Sequence, residues 1–80
     1  MKLPRDLDAG DLVRALGKLG YEPVRQTGSH VRVRTTTDGE HHETIPSPGI
    51  LKVGTLAAII RGLGEHHGLT RDEVLKRLDL

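Results

Sequence analysis

Residues 28–46 read Gly28-Ser29-His30-Val31-Arg32-Val33-Arg34-Thr35-Thr36-Thr37-Asp38-Gly39-Glu40-His41-His42-Glu43-Thr44-Ile45-Pro46, two β-branched runs around an Asp-Gly pair. Asp-Gly tolerates the positive φ angles of a tight hairpin, so it predicts a two-residue turn between a strand over His30 to Thr36 and an antiparallel return over His41 to Ile45. Pro46 and Pro48 lack the amide a ladder needs and end the sheet. Successive side chains of a strand alternate between faces. Val31 and Val33 therefore point into a core, and His30, Arg32 and Arg34 share the opposite, open face.

Upstream, Asp8 reads as a helix N-cap with Asp11 in the first turn. Leu12, Leu16 and Leu19 follow at helical spacing until Gly20 supplies a left-handed stop. Val24 to Gln26 is a short strand. Downstream, Leu56, Ile59, Ile60 and Leu63 recur at i, i+3, i+4 and i+7, which predicts the main core helix from about Val53 to Leu63, its end marked by Gly62 and Gly64. Thr70 and Glu73 form a capping box ahead of Val74, Leu75 and Leu78, with Leu69 placed to staple against Val74. The expected fold class is α+β: helix, three-stranded antiparallel sheet, helix, and an additional short C-terminal helix. Residues 1–80 are read as a single domain, because 80 residues leave no room for a second core.

Composition narrows the function classes. With no cysteine there is no disulfide framework, no thiolate nucleophile and no sulfur-based zinc site. Tyr21 is the only aromatic residue, which disfavours single-strand RNA readers that stack bases on several rings. The charged start from Met1 to Asp11 is no signal peptide, and no apolar run approaches the ~20 residues of a membrane span, so a cytoplasmic protein with no membrane partner is expected. The formal net charge is only +1, but the charges are segregated along the chain. From Pro23 to Thr37 the charges are Arg25, Arg32 and Arg34; from Thr44 to Gly64 they are Lys52 and Arg61. Brought together, these stretches give a near-neutral protein one basic face able to attract phosphate.

The chemistry-bearing segment is Gly28-Ser29-His30. Histidine is the side chain that exchanges protons near neutral pH. A lone strand histidine is most often an ordinary surface residue, but here Arg32 follows on the same face and Gly28 and Ser29 offer backbone donors and a hydroxyl just before it. A proton-transfer group beside fixed cations is what RNA cleavage by its own 2′-hydroxyl requires, with no metal. The pairs His41-His42 and His66-His67 are read as solvated side chains rather than metal ligands, since strand neighbours point to opposite faces and no i, i+4 pair exists. Gly54-Thr55, with Lys52, either binds phosphate through free helix amides or simply caps the helix.

The chain resembles the HicA family of toxins. The resemblance rests on Leu19-Gly20-Tyr21, Arg25-Gln26-Thr27-Gly28-Ser29-His30, Ile45-Pro46 and Lys52-Val53-Gly54-Thr55-Leu56, in that order and spacing. It implies a double-stranded-RNA-binding-domain-like fold, an endoribonuclease that cleaves mRNA and arrests translation, and a HicB-like antitoxin that covers the active site. The functional histidine of the family's glycine-serine-histidine segment is here His30. Arg25, Gln26, Gly28, Ser29, Arg32, Arg34, Lys52 and Thr55 are the expected RNA-binding residues, and neither metal nor other cofactor is expected. Two departures stand out. Relatives often carry a histidine two residues after the proline ending the third strand, where this chain has Pro46-Ser47-Pro48. The run from Gly62 to Gly68 looks longer than the usual link between the last helices and is expected to alter only a surface loop. The alternatives are a double-stranded RNA-binding module without catalysis, which ordinarily carries a lysine cluster where only Lys52 stands here, and a protein-interaction domain using the open sheet face or edge.

Overall fold

In the computed structural model, which describes residues 2–80, the chain folds in the order α1 (Ala9–Leu16), a 3-10 turn (Gly17–Leu19), β1 (Glu22–Thr27), β2 (His30–Thr35), β3 (His41–Pro46), α2 (Val53–His67) and α3 (Arg71–Arg77). Met1, part of the expected domain span, lies outside the described residues. Asp8 caps α1, its carboxylate accepting from the Gly10 amide at 2.8 Å. Thr70 and Glu73 cap α3 reciprocally, as their spacing predicts. The segment before α1 meets the segment before α2: the Ala9 amide donates to Gly49 O and the Leu51 amide to Leu7 O, both at 2.8 Å. This double bridge brings the starts of the two long helices together.

The antiparallel sheet has the order β1-β2-β3. Its buried face carries Val31, Val33, Thr35 and Ile45, covered by Leu12 and Leu16 of α1 and by Leu56, Ile60 and Leu63 of α2. Val74 and Leu75 of α3 join the same core. Full burial of side chains of this size is worth about 1.5–3 kcal/mol each, so this one layer of helices supplies most of the stability. Thr35 is the exception in polarity: its hydroxyl donates to Leu19 O at 2.9 Å and accepts from the Thr37 amide at 3.1 Å. β1 is exposed along its whole length, with a register shift between Pro23 and Arg25.

Two expectations are corrected. The β2–β3 connection is not a two-residue turn at Asp38-Gly39. It spans residues 36–40, with Thr35 pairing to His41 and the Gly39 amide donating to Thr36 O. Asp38 and Gly39 both take positive φ, but within this longer loop. The main helix does not stop at Gly62 and Gly64; it continues to His67 and is closed by Gly68 in the left-handed region. The two inner glycines serve close approach instead. A Cβ at Gly62 would lie 2.5 Å from a Glu43 carboxylate oxygen, and one at Gly64 would lie 2.6 Å from Leu69 O. The stretch from Gly62 to His67 is therefore helix rather than surface loop.

Candidate active site

The open face follows from the register. His30 lies between Thr27 of β1 and Pro46 of β3, Arg32 between Arg25 and Thr44, and Arg34 between Glu22 and His42. His30 and Arg32 are exposed and Arg34 is partly so, while Val31 and Val33 between them are buried, as the alternation predicts. Arg25, Thr27, His30, Arg32 and Thr44 line a shallow depression of about 430 Å³. Arg25 opposite Arg32 sets like charges across neighbouring strands, a destabilising pair in isolation. A bound anion would offset that repulsion.

His30 opens β2 directly after Gly28-Ser29, which form the two-residue turn from β1. Gly28 does not serve a tight approach: its φ is not positive and a Cβ there would meet no atom within 4 Å. Ser29 Oγ lies 3.1 Å from His30 Nδ1. An Nδ1–H given to the hydroxyl leaves Nε2 a base, whereas a hydroxyl proton given to Nδ1 leaves Nε2–H an acid. In both states Nε2 has no protein hydrogen bond among the described residues, on a side chain that is exposed.

Not every expected residue gathers here. Gln26 pairs with Val31 and so shares the core-side direction rather than that of His30. Lys52 is the exposed N-cap of α2, and its side chain makes no capping hydrogen bond. Thr55, one turn on, lines a separate hollow between β3 and α2 together with His42, Glu43, Thr44 and Gly54. Thr44 borders both depressions.

On the open face His42 is not the solvated side chain expected, and its partner Glu40 carries no signal that the sequence reading used. His42 Nδ1 accepts from Arg32 Nε at 3.2 Å, and His42 Nε2 donates to Glu40 Oε2 at 2.8 Å. The same Glu40 oxygen accepts from Arg34 Nε at 3.2 Å. The imidazole of His42 and the Arg34 guanidinium hold the Glu40 carboxyl below the usual carboxylate range.

The other histidines are not the solvated side chains expected. Because α2 continues to His67, its last turn packs against the hairpin. Tyr21 Oη lies 2.7 Å from His41 Nδ1 and 2.9 Å from His67 Nε2, and His67 Nδ1 donates to Asp38 Oδ2 at 2.9 Å. The His67 side chain is only 1% exposed. His66 stacks on His41, ring centroids 4.4 Å apart, and its Nε2 sits 3.0 Å from the carbonyls of Thr37 and Gly39. Burial and then the neighbouring imidazoles lower the pKa of His41; burial raises those of Glu43 and Tyr21. Among the described residues no three His, Cys, Asp or Glu side chains are arranged to hold a metal ion.

A sequence model of the family described as "HicA toxin of bacterial toxin-antitoxin" matches residues 9–68. The chain belongs to the HicA toxin family. The matched stretch takes in α1, the whole sheet with its His30 face, and α2 through its Gly68 cap; α3 lies beyond it. Membership of this HicA family makes the protein the toxin of a toxin–antitoxin pair and implies an antitoxin partner. No curated protein and no solved structure matches the chain. No helix among the described residues is long and apolar enough to cross a membrane.

Proposed function

We infer that the open sheet face is the active site of an endoribonuclease that cuts mRNA by internal transfer, with His30 exchanging the protons. The observation that carries this reading is the row His30, Arg32 and Arg34 on a solvent-facing strand whose alternate residues form the core. In the step, the 2′-oxygen bonds to the adjacent phosphorus and its proton passes to an imidazole nitrogen. The bond from phosphorus to the 5′-oxygen breaks, that oxygen takes its proton from the imidazolium so formed, and a 2′,3′-cyclic phosphate and a 5′-hydroxyl result while His30 returns to its neutral form. Arg25, which lines the same depression as His30, offsets charge that grows on the phosphate oxygens, and Arg32 holds the strand beside the cut. Every group in this scheme comes from the chain or the substrate, so no metal is invoked. A HicB-type antitoxin is read as covering the same face, where the cations attract acidic side chains and burial blocks His30.

Positioned general acid or base catalysis contributes typically about 10²–10⁴-fold, and His30→Ala is expected to lose cleavage by that order while remaining folded. The assay follows a labelled RNA with and without EDTA and analyses the ends produced. A folded His30→Ala protein that cuts at the wild-type rate defeats the reading. So does activity abolished by chelation and restored by a divalent ion. RNA binding by a wild-type protein that never cleaves would leave the non-catalytic module.

A further inference from the structure

His30, Arg32 and Arg34 succeed one another at every second residue of β2, so their Cα atoms advance by about 7 Å per step along one line. That is close to the separation of neighbouring phosphates on a nucleic-acid strand. A long arginine side chain on an exposed sheet would ordinarily sample many rotamers, and ordering it on binding costs affinity. Both arginines are instead held at their base. Arg32 is engaged through Nε by His42, Arg34 through Nε by Glu40, and a hydrogen bond from His42 to Glu40 ties the two contacts together.

The choice of nitrogen matters. Engagement at Nε leaves the paired terminal Nη groups, the fork that matches a phosphate, free of protein hydrogen bonds among the described residues. The proton positions are also fixed by the partners. Glu40 can only accept in its ionised form, so His42 Nε2 carries the hydrogen, and the Arg32 guanidinium can only donate, so His42 Nδ1 is the acceptor. With both nitrogens occupied, His42 has none left to face a reacting atom. It is a positioning residue.

We propose that Glu40 and His42 form a positioning pair that presents Arg32 and Arg34 as a cradle for two consecutive phosphates of an RNA strand lying along β2, next to the phosphate held at His30. The proposal rests on the endoribonuclease reading and specifies its substrate: a strand long enough to reach past the cut, rather than a single phosphodiester.

The test compares a dinucleoside monophosphate with a longer single-stranded oligonucleotide. The proteins are wild type, His42→Leu, His42→Gln and Glu40→Ala, each checked for fold by circular dichroism. Wild type should prefer the longer substrate in kcat/KM. In His42→Leu and Glu40→Ala that preference should shrink by about three- to tenfold, in KM rather than kcat. His42→Gln should restore it, since a carboxamide keeps one acceptor and one donor at similar places. An equal loss on both substrates, a loss confined to kcat, an unchanged preference, or a His42→Gln no better than His42→Leu would each overturn the cradle. Anisotropy titrations of the longer RNA in a His30→Ala background measure the same cradle without turnover. A wild type that cleaves neither substrate would fail the endoribonuclease reading, and the titrations would still decide the cradle.

Discussion

A methyl group added at position 20 has nowhere to go. Gly20 sits at φ +83°, and a Cβ there would fall 2.5 Å from Thr37 Oγ1 and 2.7 Å from Thr35 Oγ1. Gly20→Ala is therefore expected to cost about 1–3 kcal/mol, because strain in the left-handed region adds to displacement of the Thr35 hydroxyl from its bond to Leu19 O. Gly28→Ala, beside the proposed catalytic histidine, should stay within about 0.5 kcal/mol of wild type in denaturant melts. A Gly28 variant as unstable as the Gly20 one would contradict this account of both positions. The sequence marks both as glycines in turns. Which of them needs to be glycine depends on hydroxyls many residues away in the chain, and no local pattern carries that information.

At the scale of the element, β2 was legible and the hairpin that follows it was not. Alternation of valine with arginine fixes which side of β2 meets the core, and Thr70-Glu73 fixes the start of α3. A two-residue turn at Asp38-Gly39 would pair Arg34 with Glu43, whereas the five-residue loop pairs it with His42. That slip of one residue exchanges the faces of β3: His42 moves to the open side, and His41 and Glu43 turn toward α2. The length of α2 was hidden for a similar reason, since Gly62 and Gly64 are explained only by Glu43 and Leu69. With both misread, the meeting of His41, His66 and His67 around Tyr21 could not be foreseen.

That meeting has a pH signature. A histidine whose pKa is lowered by folding binds fewer protons than it does in the unfolded chain, so its contribution is intact above the unfolded value of about 6.5 and is lost as pH falls below it. His41 is such a group, facing Tyr21, Glu43, His66 and His67, with Asp38 beyond His67. Glu43 acts in the opposite sense: its raised pKa makes folding take up protons, which adds stability as pH falls toward the ordinary carboxyl range. The His41 share is isolated by difference. Melting temperatures of wild type and His41→Gln between about pH 7.5 and 5.5 should show the wild type losing more on acidification. Parallel curves would mean that His41 takes up its proton in the fold without penalty.

The whole molecule is nearly neutral, so the affinity proposed for an anionic strand has to come from arrangement rather than sum. For single strands each neutralised phosphate contributes about 0.7 to the slope of log affinity against log salt. Arg32→Gln should reduce that slope by about this amount, and Lys76→Gln on α3 should leave it alone. Titrations between about 50 and 200 mM salt resolve the difference. Equal slopes for Arg32→Gln and wild type would take the RNA off the sheet face. Arg32→Gln should likewise slow association with the antitoxin, and an unchanged rate across salt would place that partner elsewhere.

The two-sidedness of β2 carries a genetic consequence. Along one strand, neighbouring codons answer to different selections: Val31, Val33 and Thr35 sustain the protein's abundance, and His30, Arg32 and Arg34, on the proposed reading, sustain its toxicity. Loss-of-toxicity alleles should thus fall into two interleaved kinds with a period of two. Those at the core positions deplete the protein, whereas those at the open positions leave a harmless, well-folded copy at normal levels. A copy of the second kind still occupies antitoxin wherever its docking does not depend on the altered side chain. Escape at His30 would then not be silent in a cell that also carries an intact toxin, because the inert copy draws off part of the shared antidote.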